Sequence, residues 1–265
     1  MALFKYETHL HTSEGSACGN WNAEVAVRRL HELGYSGCFV TDHFLNSNTS
    51  VDTRLPWDIQ VNLFCQGYEK AKKIGDELGF DVWFGWEFSW NCADFLTYGL
   101  DKQFLLNHPN VIHMAPDEYI DLVHKCGGFV VQAHPFRDRG YISGLHIYFK
   151  HVDGIEAINC GNDPIANERA IWFADSCGLP KTGGSDAHHL WWYKAGGIVL
   201  EEKLSCPNDY LNCMREGKIQ KILEGDSSCH VECPEDSNCL IIRNDIKLLP
   251  EDLRIRAEQW YKENE

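Results

Sequence analysis

Thr8-His9-Leu10-His11-Thr12 sets two histidines one residue apart at the end of a strand-like run, residues 3–9. Gly184-Ser185-Asp186-Ala187-His188 repeats that spacing after another such run, residues 180–183. Side chains alternate along a strand, so residues i and i+2 point the same way. Each pair can therefore aim two ligands at one point. Imidazole and carboxylate are ligands for zinc, manganese and iron ions. Two such pairs at opposite ends of one domain predict a metal centre closed by the fold.

Around these motifs, strand-like and helix-like segments alternate. Residues 36–41, 80–86, 94–99, 128–133, 152–158 and 196–200 read as further strands. Helices are predicted over 22–33, ending at Gly34, over 59–78, ending at Gly79, and over 117–125, 164–177 and 207–216. This alternation argues for a parallel α/β architecture, but periodicity alone does not separate an open sheet from a closed barrel. The positions of the candidate ligands say more. His9, His11, Asp42, His43, Glu87, His134, Asp186 and His188 all fall at or just beyond the C-terminal ends of predicted strands. That is where the loops of an α/β barrel converge on one rim.

The chain has 265 residues, a length that one α/β barrel can use. Its formal net charge of −15 argues against wrapping long nucleic acid or lying on anionic lipid, both of which need excess Lys and Arg. A small anionic substrate remains compatible, because bound cations reverse the local field. Met1-Ala2-Leu3-Phe4-Lys5-Tyr6 has no apolar leader core, and no apolar stretch approaches the ~20 residues of a membrane span. The expectation is a cytoplasmic protein whose twelve cysteines are reduced thiols. Beyond residue 224 the chain turns cysteine- and acid-rich and ends in a charged helix-like stretch, 250–262. Residues 225–265 are expected to be an appendage packed on the main domain, 1–224. Cys229-His230-Val231-Glu232-Cys233 and Cys239 read as unligated thiols rather than a structural zinc site, which usually shows two pairs of closely spaced ligands.

His9-Leu10-His11-Thr12, Thr41-Asp42-His43, Gly85-Trp86-Glu87, Ala133-His134-Pro135 and Gly184-Ser185-Asp186-Ala187-His188 resemble, in order, the motifs of the PHP (polymerase and histidinol phosphatase) family. The resemblance spans roughly residues 3–200; each motif is weak alone, but five in order make a strong signal. It implies a distorted (β/α)7 TIM-like barrel holding two to three divalent metal ions (Mn, Fe or Zn), and phosphoester hydrolysis. Carried over by position, it implies that His9, His11 and Asp186 hold a first metal and that Glu87 bridges it to a second. His134 would serve the second, and His43 and His188 a third. A hydroxide bridging two such metals would be the nucleophile. Asp42, beside His43, is expected to orient its neighbours rather than bind metal. His31, His108, His113, His124, His146 and His151 are left as structural or exposed, and His189 points away.

Two positions depart from the family pattern. Ser13-Glu14-Gly15 stands where the family continues to an aspartate, which makes Glu14 a candidate ligand of the third metal. Asp94 stands where the family has a histidine after the bridging glutamate, which makes it a candidate for the second and favours harder ions. Arg137 matches a family position that meets phosphate, and its planar fork suits two phosphate oxygens. Arg139 is a second candidate on that loop. Pro135 biases His134 toward extended backbone. Trp86, Trp90, Trp191 and Trp192 flank the motifs and could stack on a substrate ring or fill the core. The leading expectation is a metal-dependent phosphatase acting on a small phosphomonoester, histidinol phosphate-like or nucleotide-like. Glu87, Asp186 and Arg137 would carry the chemistry. The alternatives are a phosphodiesterase or exonuclease on short nucleic acid, a degenerate binding module, and amide hydrolysis on a similar barrel. Oligomeric state is not legible.

Overall fold

The computed structural model of the chain describes residues 3–140, 142–191, 193–229 and 237–264. Its strands are β1 (Phe4–Leu10), β2 (Gly37–Val40), β3 (Asp81–Trp90), β4 (Ala93–Tyr98), β5 (Phe129–Ala133), β6 (Gly154–Asn159), β7 (Lys181–Gly184), β8 (Ile198–Leu200) and β9 (Lys221–Ile222). They form one sheet in the order β7-β6-β5-β4-β3-β2-β1-β8-β9. The helices are α1 (Ala23–Glu32), α2 (Trp57–Phe64), α3 (Gln66–Leu78), α4 (Lys102–Asn107), α5 (Pro116–Lys125), α6 (Pro164–Cys177), α7 (Pro207–Arg215) and α8 (Glu251–Asn264).

The sheet curls into a nearly closed, distorted barrel, and its seam lies at the two motifs quoted first. The N-terminal half of β1 pairs antiparallel with β8. Its C-terminal half meets the chain just beyond β7. There Asp186 N donates to His9 O at 3.0 Å and His11 N to Ala187 O at 3.1 Å. Leu10 and Ala187 form a parallel bridge and are buried in one apolar cluster. Alternation then sends His9, His11, Asp186 and His188 to the other side. Gly184 permits the approach: a Cβ there would stand 2.4 Å from the Cβ of His9.

The regular strand–helix alternation does not hold throughout. β3 and β4 are joined by the two-residue turn Asn91-Cys92, both at positive φ, 46° and 63°. Such a turn suits a hairpin, whereas a parallel crossover needs a dozen residues or more. β4 therefore runs antiparallel to both β3 and β5. The single helix predicted over 59–78 is two, α2 facing α4 and α3 facing α1 and β3, with the break at Cys65. Short α4 and β9 were not foreseen. Helix boundaries otherwise follow local chemistry. The Asn22 side chain caps α1 by accepting from Val25 N, Asp163 caps α6 by accepting from Ala166 N, and α6 ends at left-handed Gly178.

The C-terminal stretch lies against the barrel. Leu249, Leu253 and Ala257 join the large cluster around Phe44, Phe64, Trp86 and Phe88. His230, Glu232 and Cys233 of the tail motif lie outside the described residues, as does Trp192. No described helix is long and apolar enough to cross a membrane.

Candidate metal centre

Seven predicted ligands converge at the barrel seam. His9, His11 and Asp186 form one group, His9, Glu87 and His134 a second, and His11, His43 and His188 a third; within each, the ligand atoms lie within 4.8 Å of one another. The elements place them. His9 lies one residue before the end of β1, and His11 follows it. His43 follows β2 and bridges in parallel register to Glu87 on β3. His134 follows β5, and Asp186 and His188 follow β7.

Hydrogen bonds fix which ring nitrogens can bind a cation. The carbonyl of Asp186 can only accept, so His188 carries its proton on Nδ1, 2.9 Å away. Ser16 Oγ donates to Asp42 Oδ1 at 2.7 Å, which spends its one proton. It must then accept from His43 N at 3.0 Å and from His11 Nδ1 at 3.0 Å. His9 Nδ1 faces the Glu156 carboxylate at 2.9 Å. In its neutral form each of these rings holds its proton on Nδ1 and turns a lone pair outward at Nε2. The Nε2 atoms of His9 and His11 stand 3.0 Å apart, a contact bridged either by a proton on His9 or by a shared cation.

Two more buried polar atoms lack a hydrogen bond, Nδ1 of His43 and Oε2 of Glu87. They are 2.7 Å apart and pair by charge when the His43 ring is protonated. A divalent cation among these lone pairs would satisfy both the imidazoles and the carboxylates. The donor set is that of zinc, manganese or iron. Burial alone would raise the carboxyls, but the protonated rings of His9 and His43 hold Glu87 well below the usual range, and Arg137 and His9 do the same for Asp186. Burial would lower His9 and His43, but Glu156 and Asp186 beside His9 and Glu87 beside His43 raise both well above the ordinary imidazole value. A metal ion bound here displaces those protons. Burial and the neighbouring His188 and His43 push His11 well below its ordinary value, which keeps it neutral.

Two backbone positions are unusual. His134 and Asp186 have positive φ, 26° and 53°, uncommon for residues with a Cβ and frequent at functional sites. The extended backbone expected of His134 before Pro135 is therefore not adopted. His134 N donates to Glu156 Oε2, and its carbonyl accepts from Arg137 N, which closes a tight turn.

Glu14 is not brought to the cluster. Its carboxylate accepts from Ala23 N at 3.0 Å and lies 3.5 Å from Lys70 Nζ, so it serves the start of α1. Asp94 sits at the edge of the second group, 4.0 Å from His134 Nε2, and accepts from Ser89 Oγ across the hairpin. Asp42 accepts from Thr12 N, Thr12 Oγ1 and Ser16 Oγ, an orienting role. Arg137 donates to Asp186, Asn159 and Asn162. Arg139 is exposed and donates to Gly161 O, and it lines neither cavity at the centre. Trp86 is core: its Nε1 donates to Tyr119 Oη, and its ring packs against Phe44, Phe84 and Phe104.

Three residues escaped sequence reasoning. Glu156 orients both His9 and the His134 backbone; its signal was an acid inside the apolar strand run Gly154-Ile155-Glu156-Ala157-Ile158. His146 lines a cavity beside the centre. Cys18 lines the cleft itself, with His43 and His188. Burial pushes its thiol up, but the two neighbouring rings bring it down to about 6. Its one sequence signal was a shared short loop with the histidine pair.

The cleft over the cluster has a volume of about 470 Å³ and is walled by Cys18, His43, Glu87, Asp94, Arg137 and His188. An adjoining hollow of about 290 Å³ shares Asp94, His134 and Arg137 and adds Arg169 and His146.

Residues 164–192, which include Asp186 and His188, match a family model described as PHP-associated. No curated protein matches the chain. Among solved structures, a two-domain protein of Bacteroides vulgatus described as containing a predicted PHP-like metal-dependent phosphoesterase superposes with a TM-score of 0.59 at 16% identity, over 81% of this chain and 64% of that one. The chain shares the fold of that protein. PsfC of Pseudomonas syringae superposes with a TM-score of 0.50 at 17% identity over 91% of this chain and 96% of that one. A fainter likeness, TM-score 0.48 at 9% identity, covers 97% of this chain and 71% of the lesion-specific endonuclease PfuEndoQ of Pyrococcus furiosus.

Proposed function

We propose that the chain is a PHP-type metal-dependent phosphoesterase that hydrolyses a small phosphomonoester. The observation that carries the reading is the opposed Nε2 pair of His9 and His11, 3.0 Å apart, with both Nδ1 positions already committed to protein oxygens. In this reading His9, His11 and Asp186 hold one divalent ion. Glu87 and His134, with Asp94 at the margin, hold a second that Glu87 links to the first. His43 and His188 serve a third. Ions so held act as Lewis acids toward phosphoryl oxygens and make water a nucleophile near neutral pH.

The chain's own residues do the rest. Glu156 and Ser16 lock the imidazoles so that no reorientation is needed on binding. Asn159 and Asn162 fix the Arg137 fork at the cleft wall, where it meets a phosphoryl group and offsets the charge of Asp186. A cleft of about 470 Å³ suits a small molecule. The net charge of −15 disfavours a long polyanion.

Purified protein supplied with Mn(II), Zn(II) or Fe(II) is expected to hydrolyse p-nitrophenyl phosphate. His9→Ala and Asp186→Asn should abolish turnover and lower the bound metal measured by mass spectrometry. Absence of turnover with every divalent ion would overturn the reading. Cleavage of a short oligonucleotide without phosphomonoester turnover would move the activity to phosphodiesters.

A further inference from the structure

We infer that Arg243, near the opposite end of the chain, is a positioning residue for the metal position formed by His11, His43 and His188, and that it acts by fixing the loop between β1 and α1. The inference rests on the metal-centre reading above and adds to it a residue that touches none of the ligands.

That loop, residues 12–21, holds all three ligands of this group. Ser16 Oγ accepts from His11 Nδ1 and from His43 N, both at 3.0 Å. Trp21 Nε1 donates to His11 O at 2.8 Å, and Asn20 N donates to His188 O at 2.7 Å. Ligands of the other groups are held elsewhere: Glu156 accepts from His134 N and from His9 Nδ1, and Arg137 donates to Asp186. His11 is shared with the first group, but its partners there, His9 and Asp186, do not depend on the loop.

Residues 12–21 form neither helix nor strand, so their carbonyls need partners from outside. Arg243 supplies them. Its Nη1 donates to Ser13 O at 2.8 Å, Ser16 O at 2.9 Å and Gly19 O at 3.5 Å, and its Nη2 to Ala17 O at 3.0 Å. Carbonyl oxygens turned toward one point repel one another unless a cation lies among them. The neighbours of Arg243 extend the clasp: Ile242 N donates to Ser13 Oγ, and Asn244 Nδ2 donates to Glu14 O. Without the guanidinium, Ser16 is free to leave Asp42, and His11 and His43 lose the oxygen that orients them. The cost of ordering those rings then falls on binding of the ion.

The test is titration of the full chain with Zn(II), read by calorimetry and by metal analysis after desalting. The wild type should fill all three ligand groups. Arg243→Ala should weaken one zinc equivalent by roughly tenfold or more and leave the others unchanged. Arg243→Lys keeps the charge but not the planar fork, and should fall between the two. His43→Ala should lose the same equivalent, and adding Arg243→Ala to it should weaken the remaining ions no further. Leu253→Ala, which thins the core under α8 without touching the loop, should lower stability yet keep every zinc affinity. Wild-type affinities throughout Arg243→Ala, equal weakening of every ion, or the same selective loss in Leu253→Ala overturns the inference and leaves the metal-centre reading intact. So does a wild type that leaves one group unfilled. A wild type that binds no divalent metal overturns both.

Discussion

His9, His11 and His188 show why a ligand is more than a residue type. Each is a ligand candidate only because Glu156, Ser16 or the Asp186 carbonyl holds its other nitrogen. Glu14 shows the converse. It has the right chemistry and nearly the right spacing, yet its carboxylate faces Ala23 N and Lys70. Burial, opposed by Lys70 and the Ala23 N–H, raises its pKa from 4.5 to about 7. The folded chain therefore holds this proton more tightly than the unfolded chain. Stability from this group is present below the unfolded value and is lost as pH rises through about 7. Glu14→Gln keeps an acceptor for Ala23 and removes the buried charge. It should match the wild type in acid and exceed it above neutrality, by up to about 3 kcal/mol. Urea unfolding on either side of that range checks the sign. Metal content should be unchanged, and a lost equivalent would restore Glu14 as a ligand.

At the scale of elements, the strands gather the ligands. β1 and the chain beyond β7 meet at the barrel seam, and the i, i+2 spacing read from the sequence is realised there on both sides. The β3–β4 hairpin, closed by Asn91-Cys92, brings Glu87 and Asp94 to one rim without a helix between them. Gly184 is the tightest point of the seam. Gly184→Ala would press a methyl against His9 Cβ at 2.4 Å and Glu156 Oε1 at 2.9 Å, disturbing a ligand and the acid that orients it. The expected cost is about 1–3 kcal/mol of stability, together with weaker metal retention. Thermal unfolding and metal analysis would show it; an unchanged melting temperature with full metal content would mean that the seam relaxes freely.

At the scale of the whole molecule, the C-terminal stretch reaches back to the loop that starts the chain's chemistry. Arg243 ties down four carbonyls of residues 13–19, Ser13 Oγ donates to Ile242 O, and Gln66 pairs with Asp245. Arg243→Ala should leave the barrel folded but loosen this loop. Amide exchange should quicken over residues 12–20, and stability should fall by about 1–2 kcal/mol, because the arginine is exposed and water replaces part of what it donates. Unaltered exchange there would show that the tail merely rests on the barrel. The strand-end positions, the paired histidines and the α/β alternation are legible in the chain alone, because they follow from local periodicity and ligand spacing. Which carboxylates face the centre, that β4 runs backward, and that Cys18 shares a cleft with His43 and His188 emerge only in the folded molecule. Those outcomes depend on which long-range partner each side chain finds, and no local pattern carries that information.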